Sequence, residues 1–286
     1  MTAPRTRRLY TFLLLVPALL TFLAATFAQR PAAPVSPPLP QTPPTGAKIG
    51  AASQIHPPRP GYAFPTGETY VYTAEWRLWT AGTALLTMSR AGSDLQVNGS
   101  ADSTGFVSVL YKVQDRFRAT VDGRTFCSLS VFKHTEEGSH RRETNIHFDY
   151  ARGKSTLDER NLKTGETKHV EHDIPVCTTD VLSGVYYLST LALPNGASYT
   201  FPLSDGGQSV DVRAEVEARE DVKTPAGVFH TVRVSALATS GTLKDKGRLW
   251  IWFTDDARHM PVQIRSRLFW GTLTFRLIRA DKEKQP

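Results

Sequence analysis

The chain has 286 residues, 40% of them hydrophobic and 21% charged, with a formal charge of +7, which allows a sizeable core in one large domain or two small ones. Arg5, Arg7 and Arg8 lie in the first 28 residues with no acid, so the charge without that segment is only +4. So small a charge points to no particular partner and gives no basis for nucleic-acid binding, and the densest basic clusters, Lys133–Arg142 and Arg265–Arg279, read as solvated strands.

Residues 11–28 (TFLLLVPALLTFLAATFA) are almost wholly apolar and end in the small residues Ala24, Ala25 and Ala28. A basic start, an apolar middle and a small-residue end form a secretory signal peptide over 1–28. An uncleaved anchor through residues 11–28 facing the periplasm is the alternative, because a run of this length is marginal for a bilayer core of about 30 Å. Either reading places the remainder in the periplasm. Residues 29–66 hold eleven of the nineteen prolines and few large apolar residues, which describes a semi-extended, disordered spacer. One β-rich domain is then expected over 67–281.

From residue 67 onward the apolar period is two. In ETYVYTAEWRLW, Tyr70, Tyr72, Ala74, Trp76 and Leu78 share a face opposite Thr73, Glu75 and Arg77, as in a strand with one buried side. Similar runs recur at about 82–90, 94–101, 112–121, 124–134, 141–150, 154–161, 167–173, 197–202, 208–220, 228–238, 247–254, 260–269 and 272–279. Short strands separated by turn signals predict a mainly β fold, a curved antiparallel sheet closing toward a barrel or sandwich, with one or two short helices. The helical segments are TTDVLSGVYYLSTL (178–191), with Thr179 or Asp180 as N-cap, and the weaker GFVSVLYKV near 105–113. TPAG at 224–227 sets a type I turn with Gly227 in a following bulge. The apolar parity flips between Val262, Ile264, Leu268 and Trp270 on one side and Leu273, Phe275 and Leu277 on the other, which predicts a bulge near Gly271.

RLWIWFT (248–254) is the most informative strand, because Leu249, Ile251 and Phe253 line one face and Trp250 and Trp252 the other. With both faces apolar, it either lies between packed layers or turns one face to an apolar ligand. Cys127 and Cys177, the two cysteines, are expected to pair in an oxidising compartment. No CxxC pair, HExxH, GxSxG or glycine-rich phosphate loop occurs, so neither a metal nor a cofactor is expected. His169 and His172 fall on opposite strand faces, and the tip FKHTEEGSHRRE gathers His134, Glu136, Glu137 and His140 as exposed hairpin polarity. Asp255, Asp256 and His259, in IWFTDDARHMPVQI, read first as a hairpin loop and second as an acid/base group.

In order and spacing, FPTGETYVYTAEWRLWTAGTALLTM, HTEEGSHRRETNIHFDY, IPVCTTDVLSGVYYL, REDVKTPAGVFHTVRV and IWFTDDARHMPVQIRSRLFWGTL resemble the exported bacterial family called domain of unknown function 3108, over residues 64–278. The resemblance implies an envelope protein with a curved antiparallel β domain, similar in shape to periplasmic carriers of lipoproteins and lipids, and brings no catalytic residues. The expected role is a non-enzymatic module holding a lipid or glycolipid against Trp76, Trp250, Trp252 and Tyr186, with transient membrane contact. The alternatives are a scaffold docking a protein through a sheet edge and a hydrolase of envelope polymers using Asp255, Asp256 and His259.

Overall fold

The computed structural model describes residues 53–76, 79–240, 247–268 and 271–282. The expected signal segment and residues 29–52 of the spacer lie outside them. The first half of the domain contains β1 (Glu68–Trp76), β2 (Trp79–Ala91), β3 (Asp94–Ser103), helix α1 (Gly105–Leu110), β4 (Gln114–Val121), β5 (Ser128–Glu137), β6 (His140–Asp149), β7 (Lys154–Asn161) and β8 (Thr167–Asp173). The second half contains β9 (Thr179–Asp180), helix α2 (Ser183–Thr190), β10 (Ser198–Ser204), β11 (Ser209–Thr224) and β12 (Gly227–Ala238). It ends with β13 (Arg248–Thr254), β14 (Pro261–Leu268) and β15 (Gly271–Lys282).

All fifteen strands join one sheet in the order β8-β7-β6-β5-β4-β3-β2-β1-β15-β14-β13-β12-β11-β10-β9. The pairing is antiparallel except between β9 and β10. The first and last strands therefore pair in the middle, Glu68 opposite Lys282 and Trp76 opposite Leu273, while the middle of the chain forms both edges. The expected mainly β fold, with its curved sheet and two short helices, is what the chain adopts.

Curvature brings β9 beside β5 and the end of β8 beside β10 and β11, where isolated backbone and side-chain hydrogen bonds rather than a strand ladder form the seam. The Ser128 amide donates to the Thr178 carbonyl at 2.9 Å, and its hydroxyl donates to Asp180 Oδ2 at 2.6 Å. Tyr150 donates its hydroxyl to the Ser128 carbonyl at 2.7 Å, and His172 Nε2 lies 3.2 Å from Ser209 Oγ and 3.3 Å from Ser204 Oγ. Cys127 and Cys177 form the expected disulfide beside these bonds, with Cα atoms 5.2 Å apart.

Alternation fixes the faces. Ala74, Phe275, Ile264, Ile251 and Val234 stand opposite one another across five strands and point to the concave side, where α2 lies. The helix begins at Ser183 rather than near residue 178, because Thr179 and Asp180 pair with Leu203 and Ser204 of β10. The N-cap position is Leu182 rather than Thr179 or Asp180; Asp180 Oδ1 accepts from the Leu182 and Ser183 amides at 2.9 and 3.0 Å and so holds the turn that leads into the helix. Tyr186 and Tyr187 are buried; Tyr186 stacks on Tyr70 with centroids 6.4 Å apart, and Tyr187 meets Phe201 edge-on at 4.9 Å.

The segment before β1 is held to the domain. Residues 53–66 form a strap across one end of the curled sheet, where Phe64 stacks on Phe126 at 5.9 Å and the Arg59 amide donates to the Thr190 carbonyl at 2.9 Å. The parity flip near Gly271 is a hairpin rather than a bulge, since Leu268 pairs with Gly271 and reversing the chain resets the alternation. The TPAG hairpin forms, but Thr224 pairs directly with Gly227, so Pro225 and Ala226 alone make the loop. The register shift lies between Val216 and Ala218, and beyond it the hairpin bends back until β11 approaches β14 and β15.

Candidate functional site

A cavity of about 230 Å³ lies between α2 and the concave face of the sheet. Its floor is Tyr72, Ile251, Ile264 and Phe275, and its helical wall is Leu182, Val185 and Leu188. Space remains because inward positions toward one end are small: Ala84, Gly99 and Ala101 on β2 and β3, Ala236 and Ala238 on β12. The packing there is close, since a Cβ on Gly99 would lie 2.9 Å from Leu182 Cδ1. Ser100, Ser266 and Arg248 are the polar residues of the lining, so the space suits an apolar guest. It exceeds the roughly 150 Å³ cavity that holds a benzene ring and falls just short of the ~300 Å³ lower bound for drug-sized ligands.

The two ends of the curled sheet differ. At the strap end, Arg59 Nη1 donates to the Ser189 and Leu191 carbonyls at 2.7 and 2.9 Å, neutralising the carbonyl end of α2, and its Nη2 donates to the Ala257 carbonyl. His259 Nδ1 lies 3.0 Å from the Ser189 carbonyl and 2.9 Å from Arg59 Nη1. Burial and the neighbouring guanidinium lower the imidazole pKa. At the opposite end, where Trp76 faces Trp79 across the β1–β2 hairpin, Gly247, Arg248 and Ala101 border the cavity. Trp79, Phe106 and Val109 stand 72%, 75% and 81% exposed at this end, with α1 packed on β2.

The expected ligand residues divide between the two faces. Trp76 is on the concave side beside Leu273, half-buried against the core. Tyr186 is only 1% exposed and packs against Tyr70, outside the cavity lining; its hydroxyl is buried without a hydrogen-bond partner. Trp250 and Trp252 point to the convex side, away from the cavity, and what covers them is the protein's own polar surface. Trp252 is 4% exposed, with the Arg265 guanidinium 5.1 Å over its ring and its Nε1 donating to Glu220 of the bent-back hairpin at 2.8 Å. Arg248 lies 5.8 Å over Trp250. Leu249 and Ile251 of the same strand line the cavity. Its signal in the sequence is the recurrence of alanine and glycine at inward positions, which a search for large aromatics passes over.

The loop TDDARH is a turn. Asp256 Oδ1 accepts from the Thr254 hydroxyl and the Arg258 and His259 amides at 2.8, 2.9 and 3.2 Å. Burial acts to raise the Asp256 pKa, and these donors outweigh it, leaving the carboxyl below its ordinary range. Asp255 instead pairs with Arg219 at 2.8 Å, and His259 turns inward to α2, so the three side chains do not converge. His134 pairs with Glu143 and Glu136 at 3.2 and 3.4 Å. Among the described residues no group of three metal-ligating side chains gathers, and no helix is long and apolar enough to cross a membrane.

Comparison with solved structures finds similarity to a β-barrel-like protein of domain of unknown function 1849 from Brucella abortus, at TM-score 0.54 and 8% identity, covering 81% of this chain and 99% of that one. A Bacteroides fragilis protein assigned as exported, with a YmcC-like fold, matches at TM-score 0.34 and 9% identity over 77% of this chain and 99% of its own. No curated protein matches the sequence. The first likeness supports the barrel-like fold alone. The family described as "Protein of unknown function (DUF3108)" matches residues 71–278, and the chain belongs to that family.

Proposed function

We propose that the protein is a non-enzymatic binding module of the cell envelope, exported to the periplasm, which carries the apolar chain of a lipid or glycolipid in the cavity beside α2. The observation that carries this reading is the cavity itself. Its lining is almost wholly apolar, and the inward alanines keep the space open where larger residues would fill it. A guest with about eight buried methylenes gains roughly 6 kcal/mol before its ordering cost. The exposed Trp79, Phe106 and Val109 stand at the cavity's open end and suit transient contact with a membrane surface. The separate engagements of Asp255, Asp256 and His259 favour binding over hydrolysis.

Native mass spectrometry of the purified protein, with organic extraction of any adduct, tests the reading. The expected result is a bound amphiphile that is lost in Ala236→Phe, whose ring fills the cavity. Protein free of lipid, with no uptake of a single-chain amphiphile such as dodecyl maltoside, overturns it.

A further inference from the structure

The convex surface outside the cavity mouth carries a groove of about 540 Å³, and its composition is unlike the cavity's. The register sets Arg248 opposite Arg267 and Trp250 opposite Arg265, with Arg233 opposite Trp252. The two carboxylates at the groove, Glu217 and Glu220, are taken. Arg233 reaches them at 2.9 and 2.7 Å, and Arg248 lies 3.7 Å from Glu217. Neither Arg265 nor Arg267 forms an ion pair with a described residue, although Arg265 is seated on the Trp252 ring. Four guanidinium groups against two carboxylates leave a local excess of positive charge, with one of the unpaired groups held in place by an indole.

Arg248 joins this groove to the cavity, since it borders the cavity mouth and also lies over Trp250, which lines the groove. Arg267 is its cross-strand neighbour, and Arg265 is two residues further on, about 7 Å along the strand. A ligand leaving the mouth meets these guanidinium groups first. We propose that the groove holds the anionic headgroup, a phosphate or carboxylate, of the amphiphile whose chain occupies the cavity, with Arg265 and Arg267 as its ligands. This rests on the cavity reading above. Guanidinium matches the planar, two-oxygen geometry of such groups, and stacking on Trp252 fixes Arg265 before the ligand arrives. The basic segment that reads in the sequence as a solvated strand is, in part, a recognition surface.

Calorimetric titration of the mature chain with dodecyl phosphate, with uncharged dodecyl maltoside and with inorganic phosphate tests it, on the wild type, on Arg265→Gln/Arg267→Gln and on Ala236→Phe. Dodecyl phosphate should bind roughly tenfold more tightly than the uncharged amphiphile, the scale of one charge-assisted hydrogen bond. The double variant should remove that preference and leave dodecyl maltoside binding unchanged. If the double variant does not fold, Arg267→Gln alone, at an exposed position, carries the same comparison. Equal affinity for both amphiphiles in the wild type, each lost in Ala236→Phe, overturns the headgroup site and leaves the cavity reading standing. A preference that survives the arginine variants overturns it as well. Inorganic phosphate binding as tightly as dodecyl phosphate, undisturbed by Ala236→Phe, makes the groove a site for a free anion and also overturns it. Failure of both amphiphiles to bind removes the cavity reading and this inference together.

Discussion

Replacing both Cys127 and Cys177 by alanine removes a link that closes a loop of sequence separation 50. On the chain-entropy account, the constraint on the unfolded chain contributes about 4 kcal/mol at 25 °C for a loop of that length. The folded geometry at the bridge does not depend on it alone, because the Ser128 amide and hydroxyl hold Thr178 and Asp180 at 2.9 and 2.6 Å. The double variant is therefore expected to fold, with its loss appearing in the equilibrium with the unfolded state. Urea denaturation followed by tryptophan fluorescence is the assay. With a slope of about 2 kcal/mol per molar, the midpoint should fall by about 2 M, and reduction of the wild type should reproduce the shift. A loss below about 1 kcal/mol at unchanged slope would refute the reasoning, showing either that the unfolded chain already keeps these residues together or that the bridge strains the native seam.

Arg59→Ala removes donors to three backbone carbonyls at the strap end and should lower stability by roughly 2–3 kcal/mol; Arg59→Lys should restore little, since one ammonium cannot span them. Calorimetric melting measures the loss, and limited proteolysis should cleave within residues 53–62 first. His259 is held below its ordinary pKa of 6.5 in the folded protein, so the unfolded chain takes up the proton first as pH falls. Stability should decline below about pH 6.5, and the decline should be shallower in His259→Gln, with His172, also lowered by burial, supplying part of the remaining slope. Melting temperatures from pH 7.5 to pH 5.0 for both proteins check this. Tyr186→Phe removes a buried hydroxyl without a partner and should stabilise the protein by roughly 1 kcal/mol; a loss of similar size would show that the hydroxyl is engaged in solution. Burial pushes the Asp115 carboxyl up to about 7, against an unfolded value of 3.8, so ionising it penalises the folded state as pH rises between those values. Asp115→Asn should raise the melting temperature at pH 8 and leave it nearly unchanged at pH 4.

The strands were legible because their apolar residues alternate. Tyr70, Tyr72 and Ala74, and Ile251 and Phe253, are buried as period two requires, with Leu249 partly buried beside them. The pairing of Cys127 with Cys177 followed from residue chemistry. The strap was not legible: Arg59 finds its partners 130 and 132 residues away, and a proline-rich composition describes the isolated segment rather than the surface that receives it. The surroundings of the β13 tryptophans were not legible for a related reason. Side-chain parity reports which residues share a face, but the cover on that face comes from Arg265 and from Glu220, reached through cross-strand register and the bend of the β11–β12 hairpin. The cavity is written in what inward positions lack, and absence of bulk becomes visible only when β2, β3 and β12 are set side by side.

Placing β1 against β15 at the centre of the sheet ties completion of the fold to a strand that follows all the others along the chain. As the chain emerges with its N-terminus first, β1 through β8 can assemble in order by local hairpins, yet β1 keeps one side of its backbone unpaired until Gly271–Lys282 arrives. An unpaired edge of nine residues is a template for foreign strands. The risk of misassembly is thus concentrated in the interval before β15 is in place. A chain shortened by those twelve residues would leave β1 and β14 facing an open gap in the middle of the molecule, where a lost terminal strand of an ordinary meander would merely trim its rim.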